Sequence, residues 1–295
     1  MPVHRHNRKS IFLTASILLA AVALFSACSS NQPVPPVLPS TSTLTAVIAT
    51  ATVTPLPSPT STVTPTPTAP APLYSSICQP LDKISLEQMP QILQYPLDTP
   101  HPGQDDGHHG DDFAFYQFGE LNGIDGLPIQ SVFDGTVAGV ANNRRPYGNM
   151  IMIETPLDEI APEVLSALAL PTPSPIIPPD PRMQNCPAEP LPFHLKSNGR
   201  SLYVLYAHMQ QPATITPGNQ VNCGQQIGLV GNTGMSGNPH LHLEVRVGPS
   251  GARFGSMSYY DPGATTDEYA NYCTWRVSQL FQLVDPAKLL AAGVQ

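Results

Sequence analysis

The chain has 295 residues and a formal net charge of −8. Residues 1–73 contain no Asp or Glu, and their only Lys or Arg residues are Arg5, Arg8 and Lys9. Without these three, ten of the 13 basic residues remain against 21 acidic ones. An acidic domain without a basic stripe is a poor candidate for binding nucleic acid through phosphate contacts. A cationic or metal-dependent ligand fits this composition better.

The N-terminus has the pattern of an export signal. A basic segment precedes an apolar run from Ile11 to Ala27, and small residues stand before Cys28. The stretch Leu24-Phe25-Ser26-Ala27-Cys28 resembles a bacterial lipobox, in which cleavage before the cysteine leaves a lipid-bearing N-terminus. We therefore predict a lipoprotein-type signal peptide at residues 1–27, a membrane attachment through lipid on Cys28 and an extracytoplasmic location. Plain secretion and an uncleaved helical anchor are the alternatives.

Residues 28–73 are predicted to be a disordered Pro/Thr-rich linker. From Ser29 to Leu73 they are mostly Pro, Thr, Ser, Ala and Val and carry no charge. Such a segment cannot bury enough apolar surface to fold. Proline-rich chain stays extended at about 3.1 Å per residue, so the linker can hold a domain on the order of 100 Å from a membrane. A spacer and a tail without a length requirement fit the sequence equally well.

Residues 74–295 are predicted to form one mainly β domain with an antiparallel sheet. Many short strands are separated by Gly and Pro turns, and the 156–200 segment has the composition of an insertion. The pattern predicts strands at Gly148–Glu154, Ser201–His208 and Pro239–Glu244, a hairpin that turns at Asp134-Gly135, and helices at Ser85–Tyr95 and Asp158–Leu170.

The four cysteines that follow Cys28 are an even number in an exported chain, which predicts disulfides. Three pairings are possible. We expect Cys78–Cys273, which would tie the two flanks of the domain together, and Cys186–Cys223, which would pin the insertion to the body.

Two histidine patterns indicate a metal site. His240 and His242 are two apart on a predicted strand, so they share a face about 6.6 Å apart. His108 and Asp112 also share a face of an extended segment, with Gly110 between them, where a Cβ would crowd a metal. Two imidazoles and one carboxylate are a ligand set of catalytic zinc, which keeps a fourth position for water. Half-buried histidines and a solvated acidic loop are the alternative interpretations of these patterns.

The order of motifs resembles the lysostaphin-type (LytM-like) zinc metallopeptidases, which cleave peptidoglycan. The resemblance runs over about residues 100–290. Its motifs are His108-His109-Gly110-Asp111-Asp112, Asp134-Gly135-Thr136-Val137, Tyr147-Gly148-Asn149, Tyr206-Ala207-His208-Met209, Gly224-Gln225-Gln226-Ile227-Gly228, Gly231-Asn232-Thr233-Gly234, Pro239-His240-Leu241-His242 and Val284-Asp285-Pro286.

The resemblance implies a sandwich-like β domain with a zinc-holding cleft. It implies that His108, Asp112 and His242 bind one Zn²⁺ and that His208 and His240 act in catalysis. The implied activity is zinc-dependent endopeptidase hydrolysis of peptidoglycan cross-links. A non-catalytic wall-binding or amidase-regulating module on the same fold is the alternative. A D,D-carboxypeptidase of another zinc family would normally add a Glu-x-x-His pattern, which this sequence lacks. The stretch Phe115 to Asp125 and the 156–200 insertion are longer than in the family, and we expect both to rim the cleft.

Overall fold

A computed structural model of the chain describes Tyr74 and residues 76–189 and 199–294. The predicted signal peptide, Cys28 and the linker lie outside the described residues. Within them, the strands are β1 (Leu93–Tyr95), β2 (Asp111–Phe113), β3 (Gln117–Phe118), β4 (Leu121–Asn122), β5 (Pro128–Gln130), β6 (Gly135–Arg144), β7 (Gly148–Pro156), β8 (Arg200–Met209), β9 (Gln220–Val221), β10 (Gln226–Leu229), β11 (Leu241–Pro249) and β12 (Gln282–Val284). The α-helices are α1 (Pro162–Leu168), α2 (Thr266–Arg276) and α3 (Pro286–Ala292). None of the helices in this part of the chain is long and apolar enough to cross a membrane.

The fold is mainly β and antiparallel, as predicted. One sheet has the order β1-β2-β11-β8-β7-β6-β9, and β12 pairs with β11 on the same edge as β2. All of its pairings are antiparallel. Two small sheets, β5 with β10 and β3 with β4, complete the strand structure.

The central strands are buried on both faces. In β8, Leu202, Val204 and Tyr206 pack into one apolar core with β5, β10, α1 and α3. The intervening residues Tyr203, Leu205 and Ala207 pack into a second core, which includes Trp275 of α2. Because successive side chains of a strand point to opposite faces, a strand between two cores has a continuous apolar run. This explains the sequence Leu-Tyr-Val-Leu-Tyr-Ala in β8.

In β11 the same alternation separates apolar from charged residues. Leu241, Leu243, Val245 and Val247 lie in the first core. His242, Glu244 and Arg246 alternate with them and therefore lie on the face that α2 covers. This face carries a line of polar side chains through the middle of the protein, all of them buried.

Two predicted local structures are wrong. Ser85–Tyr95 is not an α-helix: it contains a 3-10 turn at Met89–Gln91, with Pro90 inside it, and then β1. Asp134-Gly135 does not turn a hairpin, because β5 pairs with β10 while β6 pairs with β7 and β9. Gly135 instead allows a close backbone approach, since a Cβ there would collide with the carbonyl oxygen of Glu154.

The described part of the chain contains two disulfides, but their pairing differs from the expected one. They are Cys78–Cys223 and Cys186–Cys273. Cys78 and Cys223 meet at Val132, because the N–H of Cys78 donates to the Val132 carbonyl and Cys223 Sγ lies 3.3 Å from the same oxygen. Cys186 belongs to the insertion, which runs along α2 and reaches Cys273 there. The insertion is thus pinned to a helix that the sequence patterns did not predict.

Candidate functional site

The five predicted site residues surround one cleft. It has a volume of about 410 Å³ and is lined by His108, Asp112, His208, His240 and His242. The sheet register brings them together: Asp112 in β2 is the direct partner of His242 in β11, and His242 is paired on its other side with Ala207 of β8. His240 stands just before β11, so the predicted strand begins one residue after this histidine.

The predicted ligand set converges on one carboxylate oxygen. Asp112 Oδ1 is 2.8 Å from His242 Nδ1 and 3.2 Å from His108 Nε2. One ligand atom from each of the three residues lies within 4.8 Å of the others. His108 Nδ1 donates to the carbonyl of Pro96 at 3.0 Å, which leaves Nε2 as its ligand nitrogen.

The donor set fits a zinc ion. Asp112 Oδ1 also lies 3.4 Å from His240 Nε2, so three imidazole nitrogens crowd a single oxygen. A cation between the carboxylate and the two proposed histidine ligands would satisfy these groups better than shared hydrogen bonds. Gly110 adds to the fit, because a Cβ there would collide with the carbonyl of Leu243 and lie 3.0 Å from the His242 ring. Nitrogen and oxygen ligands in this number are typical of catalytic zinc.

His208 occupies a strained position in its strand. The register of β8 against β7 shifts between Asn149 and Ile151, and His208 has φ +58°. A residue other than glycine at positive φ is uncommon and costs of order 1–3 kcal/mol. Its Nδ1 donates to the carbonyl of Thr233 at 2.7 Å, which fixes the ring and leaves Nε2 as the proton-accepting nitrogen. A β-bulge of this kind re-aims a side chain next to a functional site.

His240 faces His208 with their ring centroids 4.6 Å apart. Its Nδ1 donates to the carbonyl of Asn238 at 2.8 Å, and Ser236 Oγ lies 3.2 Å from the same nitrogen. Nε2 of His240 is buried and has no hydrogen-bond partner among the described residues. Both non-ligand histidines therefore keep the same tautomer, with Nε2 available for proton transfer.

The close packing shifts the pKa values of these groups. Burial raises the pKa of Asp112, but the imidazoles of His108, His240 and His242 around its oxygen outweigh burial and hold the carboxyl pKa below its ordinary range. Burial, together with the neighbouring His242 and His240, lowers the pKa of His208 to about 3. Burial also opposes the charge on His242, but Asp112 and Glu244 raise its pKa to about 9. His208 is therefore a neutral imidazole at neutral pH.

A buried network that the sequence patterns missed supports His242. Glu244 Oε2 lies 3.7 Å from His242 Nε2, accepts a 2.6 Å hydrogen bond from the Tyr147 hydroxyl, and is fully buried. Its other oxygen accepts from Arg246 Nε at 2.6 Å, and Arg246 Nη2 donates to His109 Nδ1 at 2.6 Å. The only signal in the sequence is the alternation of Glu244 and Arg246 with His242 along β11.

Neither segment expected to rim the cleft lines it directly. Phe115, Tyr116 and residues 123–125 instead line an adjoining apolar pocket of about 180 Å³, which shares Gln94, Ala114 and Asn238 with the cleft. In the described part of the insertion, no residue of 156–189 lines the cleft. Its helix α1 packs in the first core with α3, and its later part is joined to α2 at Cys273.

Residues 194–254 match the profile of Peptidase family M23. This match confirms the family resemblance for the motifs that lie within these residues. It includes His208, His240 and His242 and does not reach His108 and Asp112.

Several solved structures are similar to the chain. The catalytic domain of the antimicrobial peptidase lysostaphin from Staphylococcus simulans is 17% identical, with 71% of this chain and 99% of that chain covered and a TM-score of 0.35. The catalytic domain of a mutant of the prophage-encoded M23 protein EnpA from Enterococcus faecalis is 19% identical, with 54% and 82% covered and a TM-score of 0.30. A zinc-containing peptidase from Vibrio cholerae is 23% identical, with 59% and 35% covered and a TM-score of 0.27.

Proposed function

We propose that this chain is a zinc-dependent endopeptidase that hydrolyses peptide cross-links of bacterial peptidoglycan. One observation carries the proposal. Four histidines and an aspartate from separate segments meet in one cleft, in a chain that matches a peptidase family. His108, Asp112 and His242 would hold the zinc ion, through His108 Nε2, a carboxylate oxygen and His242 Nδ1.

His208 and His240 would carry out the proton transfers. A zinc ion held by His108, Asp112 and His242 would lower the pKa of a bound water toward neutral pH, and the ion would polarise the scissile carbonyl. Neutral His208 can accept a proton at Nε2, because its Nδ1–H is already engaged with Thr233. His240 lies beside it and, when protonated, can stabilise the developing oxyanion. The strained backbone of His208 supports this role, since strain of this kind clusters at active sites.

The alternative function is a non-catalytic wall-binding or amidase-regulating module. Binding alone would not require two histidines with aligned tautomers next to a complete ligand set. The filled positions therefore favour an enzyme over a regulator.

We further propose the cellular setting from the sequence. A lipoprotein-type signal at residues 1–27 and lipid on Cys28 would attach the chain to a membrane. The linker at residues 28–73 would then carry the domain of residues 74–295 toward the wall. The two disulfides support an oxidising, extracytoplasmic location.

The test is incubation of the zinc-loaded protein with defined cross-linked muropeptides and mass spectrometry of the products. We expect a new amine and a new carboxyl terminus at one cross-link position. Removal of zinc by a chelator should abolish these products. Tight binding of muropeptides without any cleavage would favour the regulatory alternative. The matched control is Asp112→Asn treated with zinc in the same way, which keeps the shape of the side chain and removes the charge of the proposed ligand.

A further inference from the structure

One permanent cation stands in the wall of the cleft. Among the described residues, Arg276 is the only Lys or Arg that lines it. It belongs to the last turn of α2 and lies outside the residues that match the family profile. The chain beyond residue 73 has only ten basic residues against 21 acidic ones. A guanidinium in the cleft is therefore a positive charge in a domain that is acidic as a whole.

The guanidinium is held in one orientation. Arg276 Nε forms an ion pair with Asp105 Oδ1 at 2.7 Å, and Asp105 Oδ2 accepts hydrogen bonds from the hydroxyls of Tyr260 and Tyr272, both at 2.6 Å. The guanidinium carbon lies 5.7 Å from the ring centroid of Tyr147 and 5.3 Å from that of Tyr272. An arginine that is fixed in advance loses little side-chain entropy when it binds a ligand.

The helix that presents Arg276 is itself fixed. Thr265 and Glu268 form a capping box at its start, and Arg144 pairs with Glu268. Cys273, about one turn before Arg276, is joined to Cys186. These contacts hold the guanidinium beside the proposed zinc ligands as part of a rigid wall.

Only one edge of the guanidinium is used by the protein. Asp105 pairs with Nε, and neither Nη group has a hydrogen-bond partner within the described parts of the chain. The side chain is 11% exposed, and Arg276 is one of the residues that line the cleft. The pair of Nη groups has the fork geometry that matches a carboxylate with two parallel hydrogen bonds.

We propose that Arg276 forms a carboxylate-binding subsite, so that the bond cut by this enzyme lies near a free carboxylate of the wall peptide. The inference rests on the proposed function and narrows its substrate class. Cross-links between stem peptides with free carboxyl groups fit the subsite. A neutral glycyl bridge far from any carboxylate would leave the Nη groups without a partner and gain nothing from this arginine.

The test is calorimetric binding to the zinc-loaded protein. The probes are a synthetic stem peptide with free carboxylates and the same peptide with carboxamides, neither of which contains a cross-link to be cut. Charge-assisted hydrogen bonds of a fork pair predict roughly tenfold to hundredfold tighter binding of the carboxylate form. Arg276→Gln should bind both forms equally. Arg145→Gln is the matched control, because it removes a half-exposed cation next to Pro146, a cleft residue, and should keep the preference.

Each outcome decides the inference. Equal binding of the two peptides by the unaltered protein, or a preference that survives in Arg276→Gln, would overturn it. If Arg276→Gln does not fold, Arg276→Lys decides instead: a point charge cannot offer the fork, so the preference must drop, and an undiminished preference contradicts the subsite. Failure here is separate from failure of the proposed function, because cross-link cleavage is measured independently with muropeptides.

Discussion

Replacing Glu244 with glutamine tests how the site orients His242. The carboxylate lies 3.7 Å from His242 Nε2, and it is itself fixed by Tyr147 and Arg246. If His242 gives Nδ1 to zinc, its Nε2–H needs an acceptor on the far side, and Glu244 is the group in place. Glutamine keeps the shape but is neutral and a weaker acceptor.

The expected loss can be worked from this geometry. Removing the partner of a metal-ligating histidine typically costs 10–100-fold in metal affinity. This is about 1.4–2.7 kcal/mol. The change also leaves Arg246 in a fully buried position without its charged partner, which predicts a further loss of about 3–5 kcal/mol in folding stability. Zinc affinity and stability should therefore both fall.

The assay is zinc competition against a chromophoric chelator, with thermal unfolding of the same samples. Glu154→Gln is the matched control, because Glu154 is also buried and hydrogen-bonded, to Ser201 Oγ at 2.8 Å and to Arg253, but belongs to another part of the sheet. It should lose stability and keep its zinc affinity. A folded Glu244→Gln protein that binds zinc as tightly as the unaltered chain would refute the reasoning.

Three further outcomes are expected. Replacing Cys186 and Cys273 together should lower the free energy of unfolding by about 2–5 kcal/mol in denaturant titrations, because the bond closes a loop with a sequence separation of 87, and an unchanged midpoint would contradict this. Arg144 is the main cause that lowers the pKa of Glu268 from 4.5 to about 2, with smaller effects of Thr265 and Ser256. These contacts therefore stabilise the fold above about pH 4.5, and their contribution is lost as pH falls toward 2. Glu268→Gln should flatten that part of the stability curve, and an unchanged acid slope would exclude Glu268 as its cause. Labelled palmitate should enter the unaltered chain and not Cys28→Ala, and label in the mutant would rule out the lipoprotein prediction.

The central sheet was predictable because its strands have continuous apolar or alternating patterns. Strands β7 and β8 lie where these patterns placed them, and β11 starts at Leu241 and runs on to Pro249, beyond its predicted end at Glu244. The pairing of β6 was not predictable, and the predicted hairpin at Asp134-Gly135 was wrong. An Asp-Gly pair predicts a local turn and carries no information about which distant strand β6 joins. The disulfide pairing failed for the same reason, since it depends on the path of the insertion along α2.

The candidate site could be assembled from motifs, because its histidines and Asp112 stand at fixed spacings in the chain. The groups that support these residues could not be predicted from motifs. Arg276 and Asp105 are 171 positions apart and meet only through the tertiary fold. The positive φ of His208 likewise follows from the register shift between β7 and β8, which no local pattern in the sequence records.

The most direct test of the account measures zinc content and muropeptide turnover together for single alanine variants of the five site residues. We expect His108→Ala, Asp112→Ala and His242→Ala to lose both, because each removes one of three protein ligands. His208→Ala and His240→Ala should keep zinc and lose about 10²–10⁴-fold in rate, the usual contribution of proton transfer. Loss of zinc from His240→Ala with retention by His242→Ala would exchange the two roles. Full zinc content and full turnover in both His240→Ala and His242→Ala would contradict the account.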